Sequence, residues 1–390
     1  MERIQTFLSQ REKAGTLRSL LPLTRVGHGW VRLLDSGEKL LDFSSNDYLA
    51  LSEHPEVIAS SRKYLEMFGA GSGAARLMSG DLEINHLLEQ EIAQLKLKDA
   101  ALTFGSGYLA NTGIIPALAG RGDLIVTDRL SHASIYDGCL LSGARTIRFR
   151  HNDLVHLEQI LHEKRSQFNS CLVIVESIYS MDGDFCPLEE LVSLKQRYDF
   201  LLLVDEAHAT GIYGDNGSGC IEEYKVSDRV DIAMGTYGKA LGSYGAYAAA
   251  SQEIIAFLVN KARTFIYSTA LPPAVIGANL AALYLVKTEP SLRQDLHSKV
   301  SFFKKQLRRN GLKSDPGPSQ IIPIMIGDSS RALAVAEKLR EKHFFVKAVR
   351  PPTVPEGTAR LRFSITRYHQ EADLKKCAAI LAETLHKTAE

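Results

Sequence analysis

Short runs of uninterrupted apolar residues, separated by helix-length segments, constrain the fold of this chain more than any other feature. "AALTF" (100–104), "DLIVT" (123–127), "CLVIVE" (171–176) and "FLLLVD" (200–205) offer water no polar face. Such strands have to lie in a sheet covered on both sides, which is the situation of parallel sheets. "PEVIASSRKYLEM", "LEINHLLEQEIAQLKL" and "PLEELVSLKQRY" have helical patterning. Alternation of the two predicts an α/β fold, a mostly parallel sheet between crossover helices. Past Glu289-Pro290 the pattern changes. "SQIIPIMIG", "FFVKAVRPPTV" and "TARLRFSI" read as strands, with helices over 329–342 and 370–388. The expected organisation is an N-terminal arm of helix and short strands over 1–45, a large domain over 46–288 and a smaller α+β domain over 289–390.

A length of 390 residues fits two domains. The formal net charge of +1 gives no long-range field that would favour nucleic acid or an anionic membrane. No stretch approaches the ~18 apolar residues of a membrane span. The opening "MERIQTFLSQREKAGTL" is charged and lacks an apolar leader core, so a cytoplasmic protein is expected. The cysteines, at 139, 171, 186, 220 and 377, form no C-x-x-C pair and fit a reducing compartment. His151, His156 and His162 have no i, i+4 spacing, so no metal site is expected.

Three glycine-rich stretches compete for a phosphate. "FGAGSGAAR" (68–76) follows a helical pattern where a dinucleotide site needs a strand. "FGSGYLANTGIIPALAG" (104–120) does follow a strand and open a helix. A helix N-terminus there binds any phosphate, so Gly105-x-Gly107-x-x-Ala110 leaves nicotinamide open. "GTYGKALGSYGAYAAAS" (235–251) ends like a P-loop at Gly238-Lys239, but Ala233 and Ala240 stand where that motif needs Gly and Ser or Thr. Its glycines are expected to give Lys239 room to move.

"LLLVDEAHATGIYG" (201–214) delivers Asp205 and His208 at the end of a buried strand, where open parallel sheets bind ligands. A carboxylate buried there needs a cationic partner. A helix N-cap is the plainer role for Asp205, and "LSHAS" (130–134) puts His132 in a loop. A phosphate site, a lysine able to form a Schiff base and an acid for a pyridinium nitrogen are together the needs of pyridoxal 5′-phosphate.

On these stretches and on "FSSNDYLAL" (43–51), "DRLSHASIYDG" (128–138), "ESIYSMDGD" (176–184), "IYSTALPP" (266–273) and "RPPTVPEGTARLRFSIT" (350–366), the chain resembles the α-oxoamine synthases of fold-type I. The resemblance implies a pyridoxal-phosphate acyltransferase that condenses an amino acid, L-alanine, with pimeloyl-CoA or a pimeloyl carrier protein and releases CO2. Other amino acids of the family, glycine or serine, are the alternative. It implies Lys239 as Schiff-base lysine, Asp205 at the ring nitrogen, His208 at the phenolic oxygen and His132 stacked on the ring. Gly107, Tyr108 and Thr236 match the phosphate cradle, Ser180 a serine near the cofactor, and Thr269 a phosphate contact from the other subunit of a homodimer with shared sites. Asn46 and Arg362 match the receptors of the amino-acid carboxylate, with Arg360 as alternative clamp. Arg18 matches an arginine on the acyl-donor side, and Thr353 a substrate-binding position.

Overall fold

In the computed structural model, residues 1–13, 16–312 and 317–387 are described. Strands β1 (Leu23–Gly27), β2 (Trp30–Leu33) and β3 (Lys39–Asp42) come first. They are followed by β4 (Ala100–Phe104), β5 (Leu124–Asp128), β6 (Arg145–Phe149), β7 (Cys171–Glu176), β8 (Leu201–Asp205), β9 (Ile232–Thr236) and β10 (Ala246–Ala250). β11 (Ile321–Gly327), β12 (Phe344–Phe345), β13 (Ala348–Val349) and β14 (Ala359–Ser364) complete the series. The chain divides into two units, Asp47–Ser180 with Asp184–Gln294, and Met1–Asn46 with Met181–Gly183 and Asp295–Glu390.

The larger unit is built on a sheet of order β4-β10-β9-β8-β7-β5-β6. β9, β8, β7, β5 and β6 pair in parallel. Leu102, Phe104, Ile125, Ile174, Leu203, Ile232 and Met234 form one face and pack against Ile114 and Ile115 of helix Gly107–Leu118 and Leu258 of helix Gln252–Lys261. Each such buried side chain contributes about 1.5–3 kcal/mol over its exposed state. "AALTF" departs from the expected parallel pairing: β4 bonds to β10, which is antiparallel to both of its neighbours. The cause is the connection 237–245, too short for a crossover helix and able to return only as a hairpin. The expected helix over "PLEELVSLKQRY" runs only from Leu188 to Leu194. Beyond it Lys195, Gln196 and Arg197 donate three residues back, a tightened turn that leads into β8.

In the smaller unit, β12 adds in parallel to β3 of the N-terminal meander, giving the sheet β1-β2-β3-β12. Residues 1–46 share a unit with the C-terminal chain. A second sheet, β11-β14-β13, has helices Ser329–Glu341 and Glu371–Lys387 beside it in sequence. Residue 388 of the expected last helix lies outside the described residues.

The glycines around Lys239 have a different purpose from the one expected. A Cβ on Gly235 would lie 2.2 Å from the Tyr247 hydroxyl. One on Gly242, whose φ is +65°, would lie 2.3 Å from the Ser52 nitrogen. Both admit close packing; only Gly238 faces space, its nearest neighbour being the Ser243 oxygen at 3.6 Å. Gly242→Ala should therefore lower the unfolding free energy by about 2–4 kcal/mol, from left-handed strain plus overpacking. Gly238→Ala should stay within about 0.5 kcal/mol. Urea denaturation of both variants checks this, and equal midpoints would refute it.

Candidate active site

The carboxyl edge of the large sheet carries the chemistry. Asp205 is the last residue of β8 and is buried. Its Oδ1 accepts from the Ala207 N–H at 2.9 Å and its Oδ2 from the Asn111 side-chain amide at 3.0 Å. Glu206 follows and points to the opposite face by strand alternation. There Lys96 Nζ donates to Glu206 Oε2 at 2.7 Å and to Thr210 Oγ1 at 3.0 Å. Burial opposes the charge on Lys96, but Glu206 and its hydrogen bond hold its pKa above the ordinary lysine value.

Asn111 comes from the buried side of helix Gly107–Leu118. Its amide also donates to Ser134 Oγ at 3.0 Å, which leaves the Ser134 hydroxyl to donate to His132 Nδ1 at 2.8 Å. The Ser134 N–H donates to the same nitrogen at 3.2 Å. His132 lies in the connection after β5, as expected, and there it is the N-cap of helix Ala133–Ser142. Two donors at Nδ1 require the neutral tautomer with its proton on Nε2. Its pKa is correspondingly low: burial pushes it down, against Asp205 and with Lys239.

Lys239 sits in the β9–β10 connection, and its Nζ lies 2.8 Å from His208 Nε2. His208 Nδ1 lies 2.8 Å from the hydroxyl of the buried Tyr48. Ser106 caps the helix that begins at Gly107, its Oγ accepting from the Leu109 N–H at 3.2 Å and its carbonyl from Ala110 at 2.8 Å. The Gly107 and Tyr108 N–H groups are left at the open end of the helix. Facing them is Thr236, whose buried Oγ1 has no hydrogen-bond partner among the described residues. A Cβ on residue 107 would come within 2.8 Å of Thr236 Cγ2, so only glycine keeps this cradle open. The set suits pyridoxal 5′-phosphate: anion donors at Gly107, Tyr108 and Thr236, an amine at Lys239, an acid at Asp205 and a neutral imidazole at His132.

The structure thus brings together Lys239 with His208, and Asp205 with His132 through Asn111 and Ser134. Ser180 is half-buried in the turn after β7. Thr269 is exposed and bridges backbone-to-backbone with Ala75; among the described residues no hydrogen bond links it to the Lys239 group. In the smaller unit Arg362 Nη1 donates to Asn46 Oδ1 at 3.2 Å and to Ser364 Oγ at 2.7 Å. Arg360 is ion-paired with Asp182 and donates to the Met181 carbonyl at 3.3 Å. Arg18 Nη2 donates to Thr353 Oγ1 at 3.1 Å.

Asn111, Ser134, Tyr48 and Glu176 escaped the sequence reading. Glu176 was legible, because it ends an apolar strand just as Asp205 does. His151 escaped too. Its Nδ1 donates to Asp128 Oδ1 at 2.9 Å and its Nε2 to Asp184 Oδ2 at 2.7 Å, tying the turn after β7 to the end of β5.

This site belongs to a pyridoxal-phosphate enzyme of fold-type I. The chain is a member of the aminotransferase class I and II family, whose model matches residues 38–381. It is 46% identical to an 8-amino-7-oxononanoate synthase of Geotalea daltonii over 98% of each chain. A serine palmitoyltransferase from S. paucimobilis, solved with a bound PLP–myriocin aldimine, superposes with a TM-score of 0.93 at 28% identity, covering 99% of this chain and 97% of that one. An 8-amino-7-oxononanoate synthase structure from Francisella tularensis gives 0.79 at 28% identity, over 91% of this chain and 100% of that one.

Burial works against the charge on His151, but hydrogen bonds from Asp128 and Asp184 raise its pKa from 6.5 to about 10. A raised pKa stabilises the fold fully below the unfolded value and loses that stabilisation as pH climbs through the folded one. Unfolding free energy should fall between pH 6.5 and about 10 in the wild type. The slope should approach at most about 1.4 kcal/mol per pH unit. His151→Gln should flatten that fall; denaturation curves across the range that stay parallel for the two proteins would contradict it.

Proposed function

We infer that the protein is an 8-amino-7-oxononanoate synthase, condensing L-alanine with a pimeloyl thioester to give 8-amino-7-oxononanoate, CO2 and the free thiol carrier, a step of biotin biosynthesis. The observation that carries this reading is the 46% identity to such a synthase over 98% of both chains. Pyridoxal phosphate, when bound, supplies the electron sink for the carbanion at the amino acid's Cα. Lys239 is the residue proposed to hold the cofactor and, once released, to take the Cα proton as general base. Asp205 would pair with the ring nitrogen and favour its protonated form, its own oxygens fixed by the Asn111 amide and the Ala207 N–H. His208, oriented by Tyr48, would hydrogen-bond the phenolic oxygen; His132, neutral, would cover the ring; Gly107, Tyr108 and Thr236 would receive the phosphate, with Ser180 nearby.

Arg362 with Asn46 is the proposed receptor for the amino-acid carboxylate. Arg360 is the weaker choice because Asp182 already neutralises it. Arg18 and Thr353, joined by a hydrogen bond, are assigned to the acyl donor, whether a coenzyme A or carrier-protein thioester. A homodimer is proposed in which Thr269 serves the partner's site. Its support is the exposed apolar surface beside the Ala75–Thr269 bridge, with Leu77, Met78 and Tyr267 at 52%, 79% and 71% exposure. Sedimentation should give twice the 43.0 kDa chain mass. A cytoplasmic location fits the free, buried cysteines. Among the described residues no helix is long and apolar enough to cross a membrane.

A second reading is a serine palmitoyltransferase-type synthase, the kind of enzyme that superposes with a TM-score of 0.93 at 28% identity. Glycine C-acetyltransferase and 5-aminolevulinate synthase are the other members to separate. Turnover with alanine and pimeloyl thioester, but not with serine and palmitoyl thioester or with glycine and short acyl thioesters, is expected; the reverse preference overturns the assignment. Asp205→Asn should keep bound cofactor, seen by its visible absorption, while kcat falls about 10²–10³-fold, the scale of a lost electrostatic partner. Arg362→Ala should raise the KM for alanine more than Arg360→Ala does.

A further inference from the structure

Glu176 and Asp205 are registered partners at the ends of adjacent parallel strands. Registered side chains leave a sheet on the same face, so two buried acids stand side by side under the proposed cofactor site. They are not equally served. Asp205 accepts from a backbone N–H and from the Asn111 amide. The hydrogen bond described for Glu176 is the one its Oε1 accepts from the His132 N–H at 2.5 Å. The acids on the other face have cations: Asp128 has His151 and Glu206 has Lys96.

We propose that Glu176 carries a proton at neutral pH and acts as a positioning residue, holding the backbone of His132 while leaving Asp205 as the one negative charge beneath the cofactor. Two like charges in one buried site do not both ionise, and the proton goes to the acid with fewer donors. The groups that act on Glu176 agree with this: burial first and then Asp205 and Asp128 favour its neutral form, against Lys239 and the His132 N–H. A second anion would give the Lys239 amine and the ring nitrogen two negative charges to pair with rather than one. With Glu176 neutral, the charge at the pyridine nitrogen is set by Asp205 alone. The charge state stands on this chain's own geometry; its bearing on the cofactor rests on the function proposed above.

Infrared spectroscopy of the full-length holoenzyme tests this directly. Wild-type protein grown on carboxyl-¹³C glutamate should show a protonated-carboxyl stretch that moves with the label and is lost in Glu176→Gln. Absence of any protonated glutamic acid band at neutral pH overturns the proposal, and this readout needs neither turnover nor a folded variant. The same spectrum of the protein stripped of cofactor reads the carboxyl even if the functional assignment fails, so the two failures are distinguishable. Glu176→Gln, which keeps a carbonyl for the His132 N–H, should retain pyridoxal-phosphate affinity and leave the pH midpoint of the bound cofactor's visible band in place. Glu176→Ala should weaken cofactor binding about tenfold, the scale of one unsatisfied buried donor. A downward shift of the midpoint by about one pH unit or more in Glu176→Gln would mean that an ionised carboxylate had been removed, and would refute a neutral Glu176.

Discussion

Charge buried at the carboxyl edge of the large sheet is the constraint to which the rest of this molecule answers. β5, β7 and β8 each end in an acid, Asp128, Glu176 and Asp205, with Glu206 directly after. An isolated carboxylate in such a place costs several kcal/mol or more. Each acid therefore dictates what stands opposite it. Asp128 accepts from His151 and from the Leu130 and Asn152 N–H groups. Glu206 requires the deeply buried Lys96 at the end of helix Glu83–Lys96 and also accepts from the Ile221 N–H at 2.9 Å. Asp205 requires Asn111, and Asn111 in turn orders Ser134 and His132. Lys96, Asn111 and Ser134 are buried polar residues whose hydrogen bonds lead back to the acids at the strand ends.

Topology brings the lysine to the same edge. β9 runs parallel to β8 with Met234 in register with Asp205, so its last residue, Thr236, emerges at the same edge of the sheet. The chain then turns within nine residues, 237–245, and β10 must come back antiparallel. Lys239 is thereby held where β8 delivers Asp205 and the following turn delivers His208. Tyr237 anchors the near side of the turn through its N–H to the Gly245 carbonyl, and Gly242 closes it through its N–H to the Lys239 carbonyl. The amine is mobile only as a side chain; its backbone is packed, and Gly235 and Gly242 are what allow that packing.

What was legible in the sequence was what repeats locally. The apolar runs gave the fold class and the central strands because full burial on both faces leaves no polar positions. β9, "IAMGT", and β10, "AYAAA", were hidden by small residues that carry little hydrophobic signal, although the same small residues let the hairpin fit between β4 and β8. Glu176 lay in plain view at the end of "CLVIVE", yet its meaning depends on a register with Asp205 that no local pattern encodes. Asn111 and Ser134 are polar residues inside helix patterns, and their burial appears only when the helices dock. Arg360 and Arg362 share a strand face by period two, and what separates them is Asp182, 178 residues away in sequence.

Overall likeness of fold does not order these enzymes by substrate. At the same 28% identity, the serine palmitoyltransferase superposes more closely than the 8-amino-7-oxononanoate synthase, with TM-scores of 0.93 and 0.79. A scaffold whose buried acids fix the positions of lysine, imidazoles and helix N-terminus serves any amino acid that a pyridoxal enzyme activates. Choice of substrate has to be exercised by groups that this charge balance leaves unconstrained. The Arg18–Thr353 contact, proposed above for the acyl donor, has that freedom, because both side chains are exposed and neither is tied to the strand ends. Such residues can vary without disturbing the sheet, whereas Asp205, Asn111 and Lys96 cannot. Full-length sequence identity therefore carries more information about the acyl donor than the superposition does.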